Sequence, residues 1–119
     1  MQKCDTLPDT RPIDFLLWLL RLRKRFRVNG PSMEPLFETG DEVLINPRAY
    51  RRKKPLPNEL VVAQHPIQPE MKLIKRVVSV DKYGACFLVG DNPLYSTDST
   101  TWGLVPFDHI LGKVTNRFR

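Results

Sequence analysis

The feature that most constrains the fold is a series of short apolar or alternating runs, each bounded by Gly, Pro, Asn or Asp. The runs are RFRVN, DEVLINP, ELVVAQHP, KLIKRVVSV, ACFLVGD and ILGKVTNRF. Such runs are typical of β-strands, and the residues between them are typical of turns. The segment VDKYGA joins two runs and predicts a hairpin connection. The sequence therefore predicts a mainly β fold, a small folded sheet or barrel-like core, with no long helix after residue 28.

The N-terminal part of the chain has a different pattern. Residues 13–20, IDFLLWLL, form an apolar run interrupted by Asp14 and followed by a basic block. Crossing a bilayer takes about 20 apolar residues, and a secretory signal has its basic residues before the apolar run. We therefore expect a short amphipathic helix over residues 12–24, with cations at its C-terminal end. The expected domains are residues 1–24, the tail and helix, and residues 25–119, the core.

The positive charge is concentrated in the first half of the chain. The net charge is +6, and residues 1–54 carry twelve Lys/Arg against seven Asp/Glu. Most of the excess lies in residues 21–27 and 51–54, which could meet anionic lipid, nucleic acid or an acidic protein, or simply be solvated. No zinc-finger spacing or RNA-recognition motif accompanies them, so no nucleic-acid partner is expected. A peripheral membrane contact through residues 12–27 stays open.

Cysteine and histidine are too few and too scattered for a metal centre. Cys4 and Cys86 lie far apart without CxxC spacing, which suits a reducing compartment, and Cys86 is expected in the core. His65 and His109 belong to no metal-ligand motif, and glycine-rich phosphate loops are absent. We expect no cofactor and no metal.

The stretch VNGPSMEPL presents a serine in a constrained turn. Gly30 lets the backbone approach a ligand, Pro31 stiffens the loop, and Pro35 restricts the residue before it. Taken alone, this pattern is typical of a loop serine, and whether Ser32 also reacts is left open by these residues. No GxSxG elbow surrounds it, so a Ser/His/Asp triad is not favoured.

A neutral lysine is the other base that could activate a serine. Neutrality near pH 7.5 needs a pKa about three units below the free value, or roughly 4 kcal/mol. Burial in an apolar strand supplies shifts of that size. Lys75 fits this requirement best, because Leu73 and Val77 share its face of the predicted strand. From this feature alone, the alternative is a lysine at the solvated edge of a strand.

Five segments in order strengthen this interpretation. GPSMEPLFETGDEVLI, PNELVVAQHP, LIKRVVSV, FLVGDNPLYSTDSTTWGLVP and ILGKV resemble the successive motifs of the type I signal peptidase family of Ser/Lys proteases, over about residues 25–115. The resemblance implies that Ser32 is the nucleophile and Lys75 the general base. Ser96 matches the serine that orients the base, and Asp98 matches a supporting aspartate.

The same resemblance assigns the surrounding residues. Gly90, Asp91 and Asn92 match a turn that leads from a strand into the site loop. The Ser32 N–H is the expected oxyanion donor, and Met33 is expected beneath the site. Two positions depart from the family: Thr100 replaces a common arginine beside Asp98, and Gly30 stands where some members have a second, hydroxyl donor.

A narrower resemblance concerns the substrate. The run LLWLLRLRKRFRVNGPSM, with INPRAY, VVAQHP and CFLVGDNPLYSTDS, resembles the nickel-type superoxide dismutase maturation proteases. This implies a cytoplasmic endopeptidase that removes the N-terminal propeptide of a nickel superoxide dismutase precursor. Two alternatives stay open: a leader peptidase held at a membrane surface by residues 12–27, and a non-catalytic basic binding module.

Overall fold

The computed structural model describes residues 11–13, 16, 22–95 and 97–117, and within them the chain forms one antiparallel sheet. Its strands are β1 (Lys24–Arg27), β2 (Glu42–Asn46), β3 (Leu60–Gln64), β4 (Lys72–Val80), β5 (Cys86–Val89) and β6 (Ile110–Arg117). A short helix, α1 (Ser99–Trp102), and 3-10 turns at Pro93–Tyr95 and Phe107–His109 lie between β5 and β6. The predicted mainly β fold is confirmed.

The strand order places the last strand in the middle of the sheet. The order is β1-β2-β6-β3-β4-β5, with every pair antiparallel. Consecutive strands β3, β4 and β5 form a meander, and β6 inserts between β2 and β3. Gly112 makes this insertion feasible, because a Cβ there would lie 2.7 Å from the Asn46 carbonyl oxygen. The two backbones therefore approach more closely than a side chain would allow.

The predicted hairpin after β4 is confirmed. Asp81 accepts hydrogen bonds through Oδ1 from the Tyr83 and Ala85 amides, at 2.8 and 2.9 Å. The Asp81 amide in turn donates to the Ala85 carbonyl at 2.9 Å. An aspartate that bonds its own downstream backbone is a typical turn former.

Alternating side chains of the strands contribute to two apolar clusters. Val62 and Ile74 belong to one cluster, whereas Val61 and Val77 belong to the other, as the two-residue period of a strand requires. The first cluster, here the Met33 core, comprises Val28, Met33, Phe37, Val43, Ile45, Leu60, Val62, Ile74 and Val114. The second, the Val77 core, comprises Tyr50, Val61, Ala63, Val77, Cys86, Leu88 and Val105.

Most of the predicted N-terminal helix lies outside the described residues, as does Cys4. Leu22 and Arg23 form a bend, and Lys24 already pairs with Ile45 of β2. The predicted end of the helix at residue 24 was therefore wrong. Pairing with a neighbouring strand satisfies the backbone there in place of helical hydrogen bonds. No helix within the described residues has the length and apolar character needed to cross a bilayer.

Candidate active site

Ser32 lies in a tight turn within the loop that joins β1 and β2. The Val28 amide donates to the Asp41 carbonyl at 2.8 Å, which closes the base of the loop. The Glu34 amide donates to the Pro31 carbonyl at 3.1 Å, so the turn spans Pro31 to Glu34 with Ser32 half-buried inside it. The Glu34–Pro35 peptide bond is cis.

Gly30 adopts a conformation that favours glycine. Its φ is +90°, in the left-handed region that side chains disfavour. Its amide donates to Thr39 Oγ1 at 3.0 Å, so this N–H is already engaged within the loop. Gly30 therefore shapes the turn before Ser32.

Lys75 is buried on β4, with 2% of its surface exposed. It lies opposite Val61 of β3 and shares its strand face with Leu73 and Val77. Burial lowers the pKa of Lys75 below its ordinary value of 10.5, and the negative charge of Asp98 acts in the opposite direction. Loss of hydration destabilises the ammonium, so the neutral amine is favoured relative to a solvated lysine.

Ser32 and Lys75 line the same cleft. Its volume is about 280 Å³, and it is open on one side. The structure therefore brings the candidate nucleophile and the candidate base to one surface, although they lie 43 positions apart in sequence (75 minus 32). The other lining residues are Asn29, Gly30, Pro31, His65, Met71, Leu73, Thr97 and Trp102.

The Gly90–Asn92 turn after β5 holds the Ser32 loop. The Asn92 amide donates to the Ser32 carbonyl at 2.8 Å, and Asn92 Nδ2 donates to the Pro31 carbonyl at 3.1 Å. The Asp91 amide contacts Met33 Sδ at 3.4 Å, and Met33 is fully buried in the Met33 core. The residues Asp91, Asn92 and Met33, singled out from the sequence, therefore meet around the turn that carries Ser32.

Arg76 links the Gly90–Asn92 turn to β4, a role that was not predicted from the sequence. Its Nε and Nη2 donate to Asp91 Oδ1 and Oδ2 at 2.9 and 2.8 Å, a two-pronged ion pair. Its Nη1 donates to the Asn58 carbonyl at 3.0 Å. The Lys-Arg dipeptide within an apolar strand was the available signal, but nothing local identified Asp91 as the partner.

Asp98 is buried and caps α1. Its Oδ1 accepts from the Thr100 amide at 3.0 Å and from Thr100 Oγ1 at 2.6 Å, and its Oδ2 accepts from the Gly90 amide at 3.2 Å. Thr100, where the sequence departs from the family that it resembles, therefore binds this carboxylate through neutral donors. Asp98 thereby links α1 to the Gly90–Asn92 turn while its charge acts on Lys75.

Three further residues complete the comparison with the sequence predictions. Ser96 lies outside the described residues. His65 and Trp102 line the cleft and contact each other, but neither was identified from the sequence, because they lie on distant segments. For Trp102, the available signal was an aromatic residue four positions after Asp98.

Comparisons with known proteins identify the family of this chain. Residues 13–81, more than half of the chain, match the family described as signal peptidase, peptidase S26. The mitochondrial inner membrane protease subunit 1 of Xenopus tropicalis is 28% identical over 108 residues, covering 75% of this chain and 65% of the relative.

Two other relatives are similar over shorter or comparable stretches. The mitochondrial ATP-independent inner membrane protease subunit 1b of Arabidopsis thaliana is 31% identical over 107 residues, covering 71% of this chain and 63% of the relative. Signal peptidase I of Aquifex aeolicus is 28% identical over 58 residues, covering 49% of this chain and 23% of the relative. The match spans slightly less than two thirds of the length of each of these two inner membrane proteases. From the family match and the sheet that carries these motifs, the chain belongs to the peptidase S26 family of signal peptidase-like serine proteases.

Proposed function

We propose that this protein is a serine endopeptidase in which Ser32 is the nucleophile and Lys75 is the general base. The observation that carries the proposal is the common cleft of a half-buried serine and a buried lysine whose pKa is lowered by desolvation. A neutral amine can accept the serine proton, which an exposed lysine at neutral pH cannot do.

The reaction follows from these two groups. Lys75 accepts the proton of Ser32 Oγ as Oγ attacks the peptide carbonyl, and a tetrahedral intermediate forms. The Lys75 ammonium then protonates the leaving amine, and an acyl-enzyme ester on Ser32 results. Lys75 next accepts a proton from water, which attacks the ester, and the collapse of the second intermediate returns the proton to Ser32.

Neighbouring groups have supporting roles in this proposal. The Ser32 N–H stabilises the oxyanion, and Ser96 orients the Lys75 amine. Asn92 fixes the carbonyls of Pro31 and Ser32, so that the attacking oxygen has a defined position. Preorganised donors at the oxyanion are worth about 2.7 to 4 kcal/mol each in related chemistry.

The proposed substrate is the N-terminal propeptide of a nickel superoxide dismutase precursor. The resemblance of the segments flanking Ser32, Lys75 and Asp98 to the maturation proteases supports it. Met71, Leu73 and Trp102 give the cleft apolar walls, which suit an extended peptide with apolar side chains. A cytoplasmic location follows from this substrate and is part of the proposal.

The names of the relatives favour a second substrate class. Two of them are called inner membrane proteases and one a signal peptidase, so a leader peptide presented at a membrane surface is the alternative. In that case residues 12–27 would hold the enzyme at the membrane. The third alternative, a basic binding module, has less support, because Arg25 and Arg27 both form ion pairs with Glu42 and part of the basic patch is neutralised.

Co-expression with a nickel superoxide dismutase precursor tests the proposal. The new N-terminus of the product is read by intact mass and N-terminal sequencing. Ser32→Ala and Lys75→Met should abolish processing while the melting curve stays cooperative. Ser79→Ala and Lys72→Met are matched controls, since both side chains are exposed on β4, and they should process normally.

The outcomes separate the alternatives. Processing that persists in Ser32→Ala contradicts the mechanism. An intact dismutase precursor together with cleavage of a leader peptide on anionic vesicles contradicts the substrate and favours the membrane alternative. If the protein cleaves neither substrate but binds nucleic acid or an acidic protein, and if this binding is salt-sensitive and unchanged in Ser32→Ala, the binding module is favoured.

A further inference from the structure

His65 organises the loop that joins β3 to β4. Its amide donates to the Met71 carbonyl at 2.8 Å, which closes the loop at its base. Its Nδ1 accepts from the Ile67 and Gln68 amides, both at 3.1 Å. Two donors at Nδ1 require a lone pair there, so the ring is the tautomer with its proton on Nε2.

The same ring contacts Trp102, which also lines the cleft. The centroids of His65 and Trp102 lie 4.7 Å apart with an interplanar angle of 58°, a tilted geometry common for aromatic pairs. Trp102 ends α1, and its amide donates to the carbonyl of Asp98 at 3.0 Å. One imidazole therefore touches both the β3–β4 loop and the helix that Asp98 caps.

Besides the bonds to His65, the loop contains a hydrogen bond from the Met71 amide to the Gln68 carbonyl at 2.8 Å. Ile67 at its tip is 73% exposed, and residues 67–72 are all exposed. Segments with few buried contacts open at low free-energy cost unless hydrogen bonds restrain them. The bonds to His65 Nδ1 restrain the segment that presents Met71 to the cleft.

We infer that His65 is a positioning residue for the peptide substrate, which holds Met71 and Trp102 as the two walls of the cleft. This inference rests on the proposed endopeptidase function. Ser32 is held by Asn92, and Lys75 by the pairing of β3 with β4, so neither depends directly on His65. Loss of His65 therefore weakens substrate binding more than it slows the chemical steps, since preorganised walls lower the cost of ordering on binding.

Three substitutions separate the two contacts of the ring. His65→Asn keeps a side-chain acceptor for the amides two and three residues on but removes the ring. His65→Phe keeps a ring for Trp102 but removes the acceptor, and His65→Ala removes both. Gln68→Ala is the matched control, because it alters an exposed side chain of the same loop and leaves its amide in place.

Two measurements are made on each variant. Steady-state kinetics on a peptide spanning the cleavage site should give His65→Ala a KM raised about tenfold, the factor for roughly one lost hydrogen bond, with kcat within about twofold. Amide exchange by NMR should be about tenfold faster at Ile67 and Gln68 in His65→Ala and His65→Phe. His65→Asn should restore the protection, His65→Phe should recover part of the KM, and Gln68→Ala should match the wild type in both.

The results also distinguish this inference from the proposed function. Ser32-dependent cleavage with an unchanged KM in His65→Ala overturns the inference alone, as does a lower kcat at constant KM. Equal exchange rates at Ile67 and Gln68 in the wild type and His65→Ala overturn it whatever the activity. If the wild type shows no Ser32-dependent cleavage, the proposed function fails and this inference falls with it.

Discussion

Lys75 and Arg76 are consecutive on β4, but the two faces of the strand surround their cations differently. Lys75 faces the cleft beside apolar neighbours, and burial lowers its pKa. Arg76 forms a two-pronged ion pair with Asp91 at 2.8 and 2.9 Å, with side chains 11% and 19% exposed. One face favours loss of the proton, whereas the other stabilises a fixed positive charge.

The difference explains why each position holds its residue type. A lysine amine can lose its proton when its hydration is removed, whereas a guanidinium remains protonated in any protein environment. The planar guanidinium matches both oxygens of a carboxylate, which a lysine cannot do. In the proposed enzyme, Lys75 supplies a base and Arg76 fixes the turn that holds Ser32.

Exchanging the two residue types should break this comparison most strongly. Lys75→Arg places a permanent cation at the cleft and should lower kcat/KM by at least about 10⁴-fold, as loss of a catalytic base does. Arg76→Lys keeps the charge of the ion pair and should lower kcat/KM by less than about tenfold. Peptide kinetics on the two variants checks both, and substantial activity in Lys75→Arg would contradict a lysine base.

The ion pair of Arg76 with Asp91 can be tested by its contribution to the free energy of unfolding. Arg76→Leu leaves the Asp91 carboxylate partly buried without this ion pair and should lower the free energy of unfolding by about 1.5 to 3 kcal/mol. Urea unfolding measures the change. A double-mutant cycle with Asp91→Asn isolates the pair, and a coupling below about 0.3 kcal/mol would reduce it to an ordinary surface contact.

A substitution of Lys75, on the other face of β4, should change the free energy of unfolding in the opposite direction. Because burial lowers the pKa of Lys75, the unfolded chain binds more protons at this site, and wild-type stability rises with pH between the folded-state pKa and 10.5. Lys75→Met removes the cost of burying the ammonium and should stabilise the fold by roughly 0.5 to 2 kcal/mol at the low end of this window.

The gain should shrink as the pH rises toward and past 10.5, because above that pH the folded and unfolded wild-type chains are both largely deprotonated at this site. Urea unfolding at several pH values gives the comparison. Lys72→Met, at an exposed position of the same strand, should show no such trend. A pH-independent difference between Lys75→Met and the wild type would mean that Lys75 is not desolvated.

The sequence predicts the parts of this comparison that depend on local pattern. Leu73 and Val77 follow from alternation within one strand, and the turn at Ser32 follows from its glycine and prolines. Val61, which lies opposite Lys75, comes from β3, and strand pairing has no local signal in a single sequence. The six strands were therefore predictable, whereas the side chain facing Lys75 from β3 was not.

Contacts between loops were the least predictable. Arg76 on β4 pairs with Asp91 in the turn after β5, and the ring of His65 contacts that of Trp102. Each contact joins segments that are distant in sequence. Which segments meet depends on the tertiary fold, and neither composition nor local pattern reveals it. The departure at Thr100 suggested a changed partner for Asp98, but the bond from the Gly90 amide required the three-dimensional structure.

The smallest expected effect concerns the negative charge of Asp98, which acts on Lys75. Asp98→Asn keeps a helix-capping side chain and an acceptor for Thr100 but removes the negative charge, together with the acceptor of the Gly90 amide. Since the Asp98 charge raises the pKa of Lys75, its removal should lower that pKa further.

The ascending limb of kcat/KM against pH, which reports the base of the free enzyme, should therefore move to lower pH. Above the limb, the rate should change by less than about tenfold, because the Ser32 turn and Lys75 are still in place. Asp108→Asn, at an exposed carboxylate, is the control and should leave the profile unchanged. A limb that stays in place, or moves to higher pH, would show that the Asp98 carboxylate does not set the protonation of Lys75. The lowered pKa would then depend on the apolar surroundings of β4 alone.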